Sequence, residues 1–144
     1  MLKIRQMEEK DGAWAAAQER SCFSTPWTET AFLDTLHCDY AFFYVAEADG
    51  ERVGICGCRD LSGEGEISNV SVAAAYRRQG IASALLTQIL EEGKRRGIQA
   101  YTLEVRCSNR SAIGLYQSFG FQLEGIRKNF YEKPREDGLI MWKR

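Results

Sequence analysis

Between Glu66 and Arg106 an apolar strand, a basic glycine turn, an amphipathic helix and a second strand follow one another without a break, and this order restricts the fold more than any other feature of the chain. Ile67, Val70 and Val72 give the segment Glu66 to Val72 the character of a central strand. The spacing then predicts a helix over Gly80 to Arg96, with Ile81, Leu85, Ile89 and Leu90 on one face and Gly97 where a left-handed C-cap is usual. Gln99 to Arg106 reads as the next strand. A strand, crossover helix and strand in this order pair the two strands in parallel and lay the helix on one face of the sheet.

The flanks extend that unit. Met1 to Gln6 alternates like a strand, and Glu8 to Arg20 reads as a helix with Trp14, Ala17 and Cys22 or Phe23 inward, ending at a Ser-Thr-Pro break. Thr28 is placed to cap a short second helix, with Glu29 in its first turn and Trp27 and Phe32 at the spacing of a hydrophobic staple. Tyr40 to Ala48 and Glu51 to Asp60 flank Asp49-Gly50, which predicts a tight hairpin, and a second loop covers Leu61 to Gly65. After Arg106 a helix is expected over Asn109 to Phe119, closed by Gly120. Strands follow at Phe121 to Lys128 and Leu139 to Lys143, with a polar loop from Glu132 to Gly138 between them. The result is α/β: one mixed sheet of about seven strands with helices on both faces.

The turn Tyr76-Arg77-Arg78-Gln79-Gly80 that opens the crossover helix has the form of an anion cradle. The first N–H groups of a helix lack intrahelical acceptors, the helix dipole adds positive charge, and a glycine lets a phosphate approach the backbone. The segment has neither the Gly-Lys-Ser/Thr ending of a nucleoside-triphosphate loop nor the Gly-x-Gly-x-x-Gly of a dinucleotide site, so another phosphorylated ligand is implied. Arg77 and Arg78 serve there either as counter-charge or as a solvated basic edge.

Composition removes several classes of function. With 19 Lys and Arg against 20 Asp and Glu, the formal charge of -1 does not suit electrostatic nucleic-acid binding. No long apolar run or signal-peptide pattern appears, which predicts a cytoplasmic protein without a membrane segment. The five cysteines are an odd number and read as reduced thiols. Cys56 and Cys58, in a chain whose single histidine is His37, make a poor metal set, and no metal is expected. Cys107 could act as a nucleophile, but no histidine follows it to serve as base.

The segment from Leu103 to Phe121 holds the candidate chemistry. Glu104 lies within a strand near the sheet centre, where a carboxylate is costly to desolvate. Either a cleft with work for a base surrounds it, or it pairs with Arg106 on the same face of the strand. Tyr116 shares a helix face with Ala112 and can be a core residue, while Asn109 can be a simple helix cap.

Arg77-x-x-Gly80-x-Ala82 resembles the pyrophosphate-binding motif of the GNAT superfamily of N-acetyltransferases. Pro26-Trp27-Thr28, Leu103-Glu104-Val105-Arg106-x-Ser108-Asn109-x-x-Ala112-x-x-Leu115-Tyr116-x-x-x-Gly120-Phe121, Arg127-x-Asn129-Phe130-Tyr131 and Glu136-Asp137-x-x-x-Met141 look like the successive motifs of RimI-type ribosomal-protein alanine N-acetyltransferases. The resemblance covers most of the chain in the family's order. It implies one acetyltransferase domain over residues 1–144, in which the parallel central strands splay apart to admit the pantetheine arm of acetyl-CoA. By the same carry-over, Glu104 is general base and Tyr116 general acid. Val70, Ser71 and Val72 hold the acetyl and pantetheine portion, Arg78, Gln79, Gly80, Ile81, Ala82 and Ser83 hold the pyrophosphate, and Asn109 lies against the cofactor. Trp27 and Tyr131 face the substrate. Two positions depart from the family: Phe130-Tyr131 stands where a tandem tyrosine is usual, and Gly138 where the closing motif has alanine.

The substrate implied is a protein N-terminus, namely the N-terminal alanine of small-subunit ribosomal protein eighteen. An α-amine titrates near 8 and a lysine near 10.4, so a neutral lysine at neutral pH costs about 3 kcal/mol more. The remaining alternatives are an acetyltransferase for a small-molecule amine and a non-catalytic acyl-CoA-binding module. Only the enzymes need the Glu104 and Tyr116 pair.

Overall fold

The computed structural model describes residues 1–144. Its strands are β1 (Leu2–Gln6), β2 (Ala41–Ala48), β3 (Glu51–Leu61), β4 (Glu64–Val72), β5 (Ala100–Arg106), β6 (Gln122–Tyr131) and β7 (Glu136–Lys143). The helices are α1 (Gly12–Cys22), α2 (Glu29–Leu36), α3 (Ile81–Arg95) and α4 (Arg110–Ser118). One seven-stranded sheet runs in the order β1-β2-β3-β4-β5-β7-β6. Every pairing is antiparallel except β4 with β5, which the α3 crossover makes parallel.

That parallel pair lasts only three residues: Glu64 lies opposite Ala100, Gly65 opposite Tyr101 and Glu66 opposite Thr102, after which the strands separate. The sheet is therefore a fork, with β1 to β4 on one prong and β5, β7 and β6 on the other. Helices cover both faces. Phe42, Tyr44 and Ala46 of β2 pack with Ile81, Leu85, Leu86 and Ile89 of α3 on one side, joined by Tyr116 of α4. Phe43 and Val45 pack with Ala15 of α1 and Phe32 of α2 on the other. Covered on both faces, the buried part of β2, Ala41 to Ala46, reads as an unbroken apolar run.

Local signals work where they are short-range. Asp49 and Gly50 both have positive φ, 53° and 84°, the two-residue turn that keeps hairpin twist. Thr28 Oγ1 accepts the Ala31 N–H at 3.1 Å, and the Trp27 and Phe32 rings sit 5.2 Å apart.

Other expectations are corrected. The first helix starts as a 3-10 turn at Glu9–Asp11, and α1 buries Gly12, Ala15, Ala16, Gln18 and Glu19, while Ala17 and Phe23 are exposed and Trp14 and Cys22 half-buried. The buried stripe follows small residues because α1 and α2 pack closely: a Cβ on Gly12 would meet Leu33 Cδ2 at 3.0 Å. In α3, Leu86 is buried and Leu90 only partly so. The second loop is a two-residue turn at Ser62 and Gly63, with φ of 59° and 89°. Both final strands are longer than expected. β6 is an edge strand whose residues are mostly exposed, so polar side chains along it carry no strand signal. No helix is long and apolar enough to cross a membrane.

Candidate active site

The opening of the fork leaves a cavity of about 1210 Å³ between β4 and β5, reached by α1, the segment before α2, the turn before α3, and α4 and β6. The turn expected as an anion cradle borders one end of it. Gly80 caps α3 in the left-handed conformation, φ +79°, and a Cβ placed on it would meet nothing within 4 Å, so its α-carbon faces open space. The first intrahelical bond runs from Ala84 N–H to Gly80 O at 3.0 Å, which leaves the amides of Ile81, Ala82 and Ser83 ahead of the ladder. Arg78, Gly80, Ile81, Ala82 and Ser83 line the cavity. Gln79 does not: it stands exposed at the tip of the turn. Arg77 is turned toward β4, its Nε donating to Val72 O at 3.0 Å and its Nη2 to Cys22 Sγ at 3.5 Å.

A bulge shapes the middle of the cleft. The β3 to β4 register steps from Gly57 opposite Ser68 to Ile55 opposite Ser71, so Asn69 and Val70 together face Cys56, and Asn69 takes φ +59°. Val70 lies in this break of the β3 ladder, and beyond Glu66 the far edge of β4 has no partner in β5. Val70, Ser71 and Val72 thus border the fork with backbone groups available to an amide-bearing chain. Amides at one end, an open strand edge in the middle and an acid-bearing strand beyond it fit acetyl-CoA.

On the other prong Glu104 lies opposite Ile140 of β7, its side chain about a quarter exposed, with Arg127 Nε 3.5 Å from its Oε2. The expected alternative, pairing with Arg106, is not what the structure has. Arg106 donates instead to Glu136 Oε1, Pro134 O, Glu132 O and Ser24 Oγ, and its guanidinium lies 4.6 Å from the centre of the Tyr131 ring. It therefore ties the turn between β6 and β7 to the segment after α1, a role the sequence did not signal. Burial, and then the Glu104 charge, push the Tyr131 phenol up to about 12.

Tyr116 is both a core and a cavity residue. Its ring lies 5.9 Å from Phe121 within the α3 side of the core, and it also lines the cleft. Burial first, then the Cys56 and Tyr131 charges, hold its phenol well above the usual value, so it stays a protonated donor. Asn109 likewise has two faces: Oδ1 accepts the Ala112 N–H at 3.2 Å as a helix cap, and the residue borders the cavity. Trp27 lines the acceptor side, edge-on to Phe43. Cys107 lies outside the cavity lining; its thiol is pushed up by desolvation and by its bond to Glu136 Oε2, so it is not an activated nucleophile. All five cysteines are free.

Glu19 and Asn69 were not singled out from sequence, yet both are buried in the cavity wall. Of six buried side-chain polar atoms without a hydrogen-bond partner, five lie here: Glu19 Oε2, Ser68 Oγ, Asn69 Oδ1, Ser71 Oγ and Glu104 Oε2, the last with only the Arg127 ion pair. Such a concentration marks a place built to hold polar groups of a ligand or water.

Comparison with known proteins agrees with this geometry. Residues 14–121 match the model of the Acetyltransferase (GNAT) family. The chain is 34% identical over 143 residues, 98% of its own length and 96% of the other's, to the ribosomal protein bS18-alanine N-acetyltransferase of Escherichia coli (strain K12). It is 38% identical over 140 residues, 96% and 93% of the two lengths, to a Bacillus subtilis (strain 168) protein whose name provisionally assigns the same reaction. The crystal structure of the ribosomal-protein-S18-alanine N-acetyltransferase from Escherichia coli superposes with a TM-score of 0.91 at 32% identity, covering 99% of this chain and 93% of that one. The family and the splayed sheet inferred from the motifs are both borne out.

Proposed function

The chain belongs to the GNAT family of acetyltransferases, and from that premise we propose that it acetylates the N-terminal α-amine of a protein, with the N-terminal alanine of ribosomal protein bS18 as substrate. It is an acetyl-CoA-dependent N-acetyltransferase, with residues 1–144 acting as one domain in the cytoplasm. The observation that carries the reading is a single cavity bordered at one end by the Gly80 cradle and at the other by Glu104, Tyr116, Trp27 and Tyr131.

Acetyl-CoA supplies an acyl thioester whose carbonyl carbon accepts the amine. The residues of the chain then divide the remaining work. The Ile81 to Ser83 amides, with Arg78, bind the pyrophosphate, Gly80 keeps the backbone open to it, and Gln79 contributes backbone alone. Val70, Ser71 and Val72 pair with the pantetheine amides, and Asn109 lies beside them. Glu104, with Arg127 Nε 3.5 Å from its Oε2, takes the proton the α-ammonium must lose before its nitrogen can attack. Tyr116 gives its phenolic proton to the departing thiolate. A phenol made a weaker acid by burial is still a competent donor, because the same dry surroundings raise the proton affinity of the thiolate. Trp27 and Tyr131 flank the incoming peptide.

The test is a mixture of peptides with different N-termini incubated with acetyl-CoA, with mass-spectrometric fragmentation to place the acetyl group. Acetylation at the α-amine of an alanine-starting peptide is the expected result. Transfer mainly to internal lysine or to small amines would assign a different acceptor, and tight acetyl-CoA binding without transfer would make the protein a sensor.

A further inference from the structure

Successive residues of a strand face opposite sides of the sheet, so Phe130 and Tyr131 of β6 should point apart. They do not: a Cβ on Gly138 of β7 would meet Phe130 Cδ2 at 3.1 Å, Phe130 Cβ at 3.3 Å and Tyr131 Cε2 at 3.3 Å, so both side chains lie over the same buried glycine. The cause is a break in β6. Between Arg127, opposite Gly138, and Tyr131, opposite Glu136, the residues Lys128, Asn129 and Phe130 answer Asp137 alone. Asn129 takes φ +53° there and its N–H donates to Asp137 Oδ1 at 2.9 Å, a bulge that turns Phe130 to the side of Tyr131. Phe130 lines the cleft and is 45% exposed, with the Tyr131 ring edge-on at 5.0 Å and the Arg127 guanidinium 5.3 Å from its centre. Among the exposed large apolar side chains only Phe23, on the segment after α1, shares that cavity. Glu104 lies opposite Ile140 and Arg106 opposite Gly138, so the glycine stands two residues, about 7 Å, further along the strands than the proposed base. That is the reach of two residues of extended peptide.

We propose that Phe130, held over Gly138, determines acceptor specificity: its ring is an apolar wall for the side chain of the second or third residue of the substrate peptide, and the enzyme favours N-termini with a large apolar residue there. The proposal rests on the reading of the protein as an N-terminal acetyltransferase and names the part of the peptide that lies beyond the acetylated residue. A phenyl ring carries no hydrogen-bonding group, so what it offers a peptide is the removal of apolar surface from water, and only an apolar side chain gains from that. A partner there continues the acceptor end of the cleft, since Phe130 adjoins Tyr131 and lines the same cavity. Gly138 is a positioning residue that acts through the ring. A side chain at 138 would share a face with Arg106 and Arg127, its partners across the sheet, and would enter the space Phe130 and Tyr131 now fill. An alanine methyl would have to displace both by a few tenths of an ångström.

The test uses alanine-starting peptides with serine at positions two, three and four, and three further peptides in which leucine replaces one of those serines. The readout is kcat/KM for α-amine acetylation of each leucine peptide divided by that of the all-serine peptide, a ratio that cancels any loss common to both. Wild type should favour leucine at position two or three about tenfold, the lower end of what an apolar pocket discriminates, and be indifferent at position four. Phe130→Ser should bring the ratio close to one, and Phe130→Leu should keep most of it. Gly138→Ala should lower the ratio in the wild-type background and leave it unchanged in Phe130→Ser, where no ring remains to be displaced. Calorimetry with the N-acetylated product peptides should give the same order of affinities with no reaction step. A leucine preference confined to position four, none at all, or one that survives Phe130→Ser would overturn the wall. An equal drop from Gly138→Ala in both backgrounds would overturn the part given to the glycine. If Gly138→Ala fails to fold, Phe130→Ser, which changes an exposed ring, still decides the wall. α-Amine transfer without a leucine preference defeats this proposal alone, whereas no α-amine transfer from any peptide defeats the assigned reaction and this proposal with it.

Discussion

Apart from Asn109, the proposed donor end of the cleft is made from one continuous stretch of chain, the β4 bulge at Asn69 through the first turn of α3 at Ser83, whereas the proposed acceptor end is stitched from segments far apart in sequence. Ser24 donates to Glu132 O across 108 residues, and Arg106 reaches Ser24 across 82. The first region presents mainly backbone to the cleft: a left-handed glycine, the amides of a helix start and an open strand edge. The second works through side chains whose positions depend on one another. A backbone site is set by local conformation and tolerates most side-chain changes, while a stitched site can be loosened by the loss of one hydroxyl. Mutations should therefore separate the two ends cleanly, with acetyl-CoA affinity reporting one and peptide KM and turnover the other.

The largest effect is expected at Glu104. Glu104→Gln keeps the shape and removes the proton acceptor, so turnover should fall by about 10²- to 10⁴-fold, the range of general acid–base catalysis, with acetyl-CoA affinity unchanged in calorimetry. Raising the pH supplies neutral amine from bulk water and should recover part of the loss. A folded variant with wild-type turnover at every pH would remove Glu104 from the mechanism. Tyr116→Phe sharpens the same point from α4, since it keeps the ring against Phe121 and deletes only the donor. Turnover should drop by about 10²-fold with little change in thermal stability, and higher pH should rescue it less than Glu104→Gln, because the leaving thiolate still lacks its proton. Near-normal turnover would return Tyr116 to packing alone.

At the donor end, Gly80→Val puts a β-branched residue at φ +79° and a side chain into the open space before α3. Acetyl-CoA affinity should weaken about tenfold or more, because the side chain intrudes where the pyrophosphate would meet the backbone, while the left-handed strain costs stability in this variant and the control alike. Gly50→Val is the control: the same left-handed backbone, φ +84°, again with nothing within 4 Å, but in the hairpin between β2 and β3 away from the cleft. If both variants fold and bind acetyl-CoA equally, the cradle is elsewhere.

The contrast between the ends also explains what the sequence could tell. Gly80, the basic turn and the amphipathic α3 are local signals, and the residues they named line the cleft apart from Gln79, because a motif names consecutive residues while a turn points some of them outward. The bulge left just one trace, an asparagine at position 69, a residue type that tolerates positive φ. Alternation correctly put Glu104 and Arg106 on one face but could not say that β6 and β7 would bring Arg127 to the first and Glu136 to the second. The inward face of α1 was misjudged for a related reason: hydrophobicity favoured Phe23 over Glu19, while the close packing of α1 against α2 chose small residues and the cleft chose a carboxyl group. Motif resemblance supplied Glu104 and Tyr116 as a pair, which spacing alone did not.

The smallest expected effect tests the stitching itself. Ser24 Oγ donates to Glu132 O at 2.7 Å and accepts from Arg106 Nη2 at 3.0 Å, so one hydroxyl joins the segment after α1 to both β5 and the turn after β6. Ser24→Ala breaks both bonds. Arg106 keeps its contacts with Glu132 O, Pro134 O and Glu136, so the wall loosens without collapsing. A net loss of about 1 kcal/mol, the scale of one such hydrogen bond, corresponds to a roughly fivefold rise in peptide KM. Turnover at saturating peptide should hold, because neither Glu104 nor Tyr116 is touched, and acetyl-CoA affinity should not change, because the cradle shares no hydrogen bond with Ser24. If Ser24→Ala weakened acetyl-CoA binding as much as peptide binding, the two ends would be one coupled unit, and the division of the cleft into a backbone-built donor site and a side-chain-built acceptor site would fail.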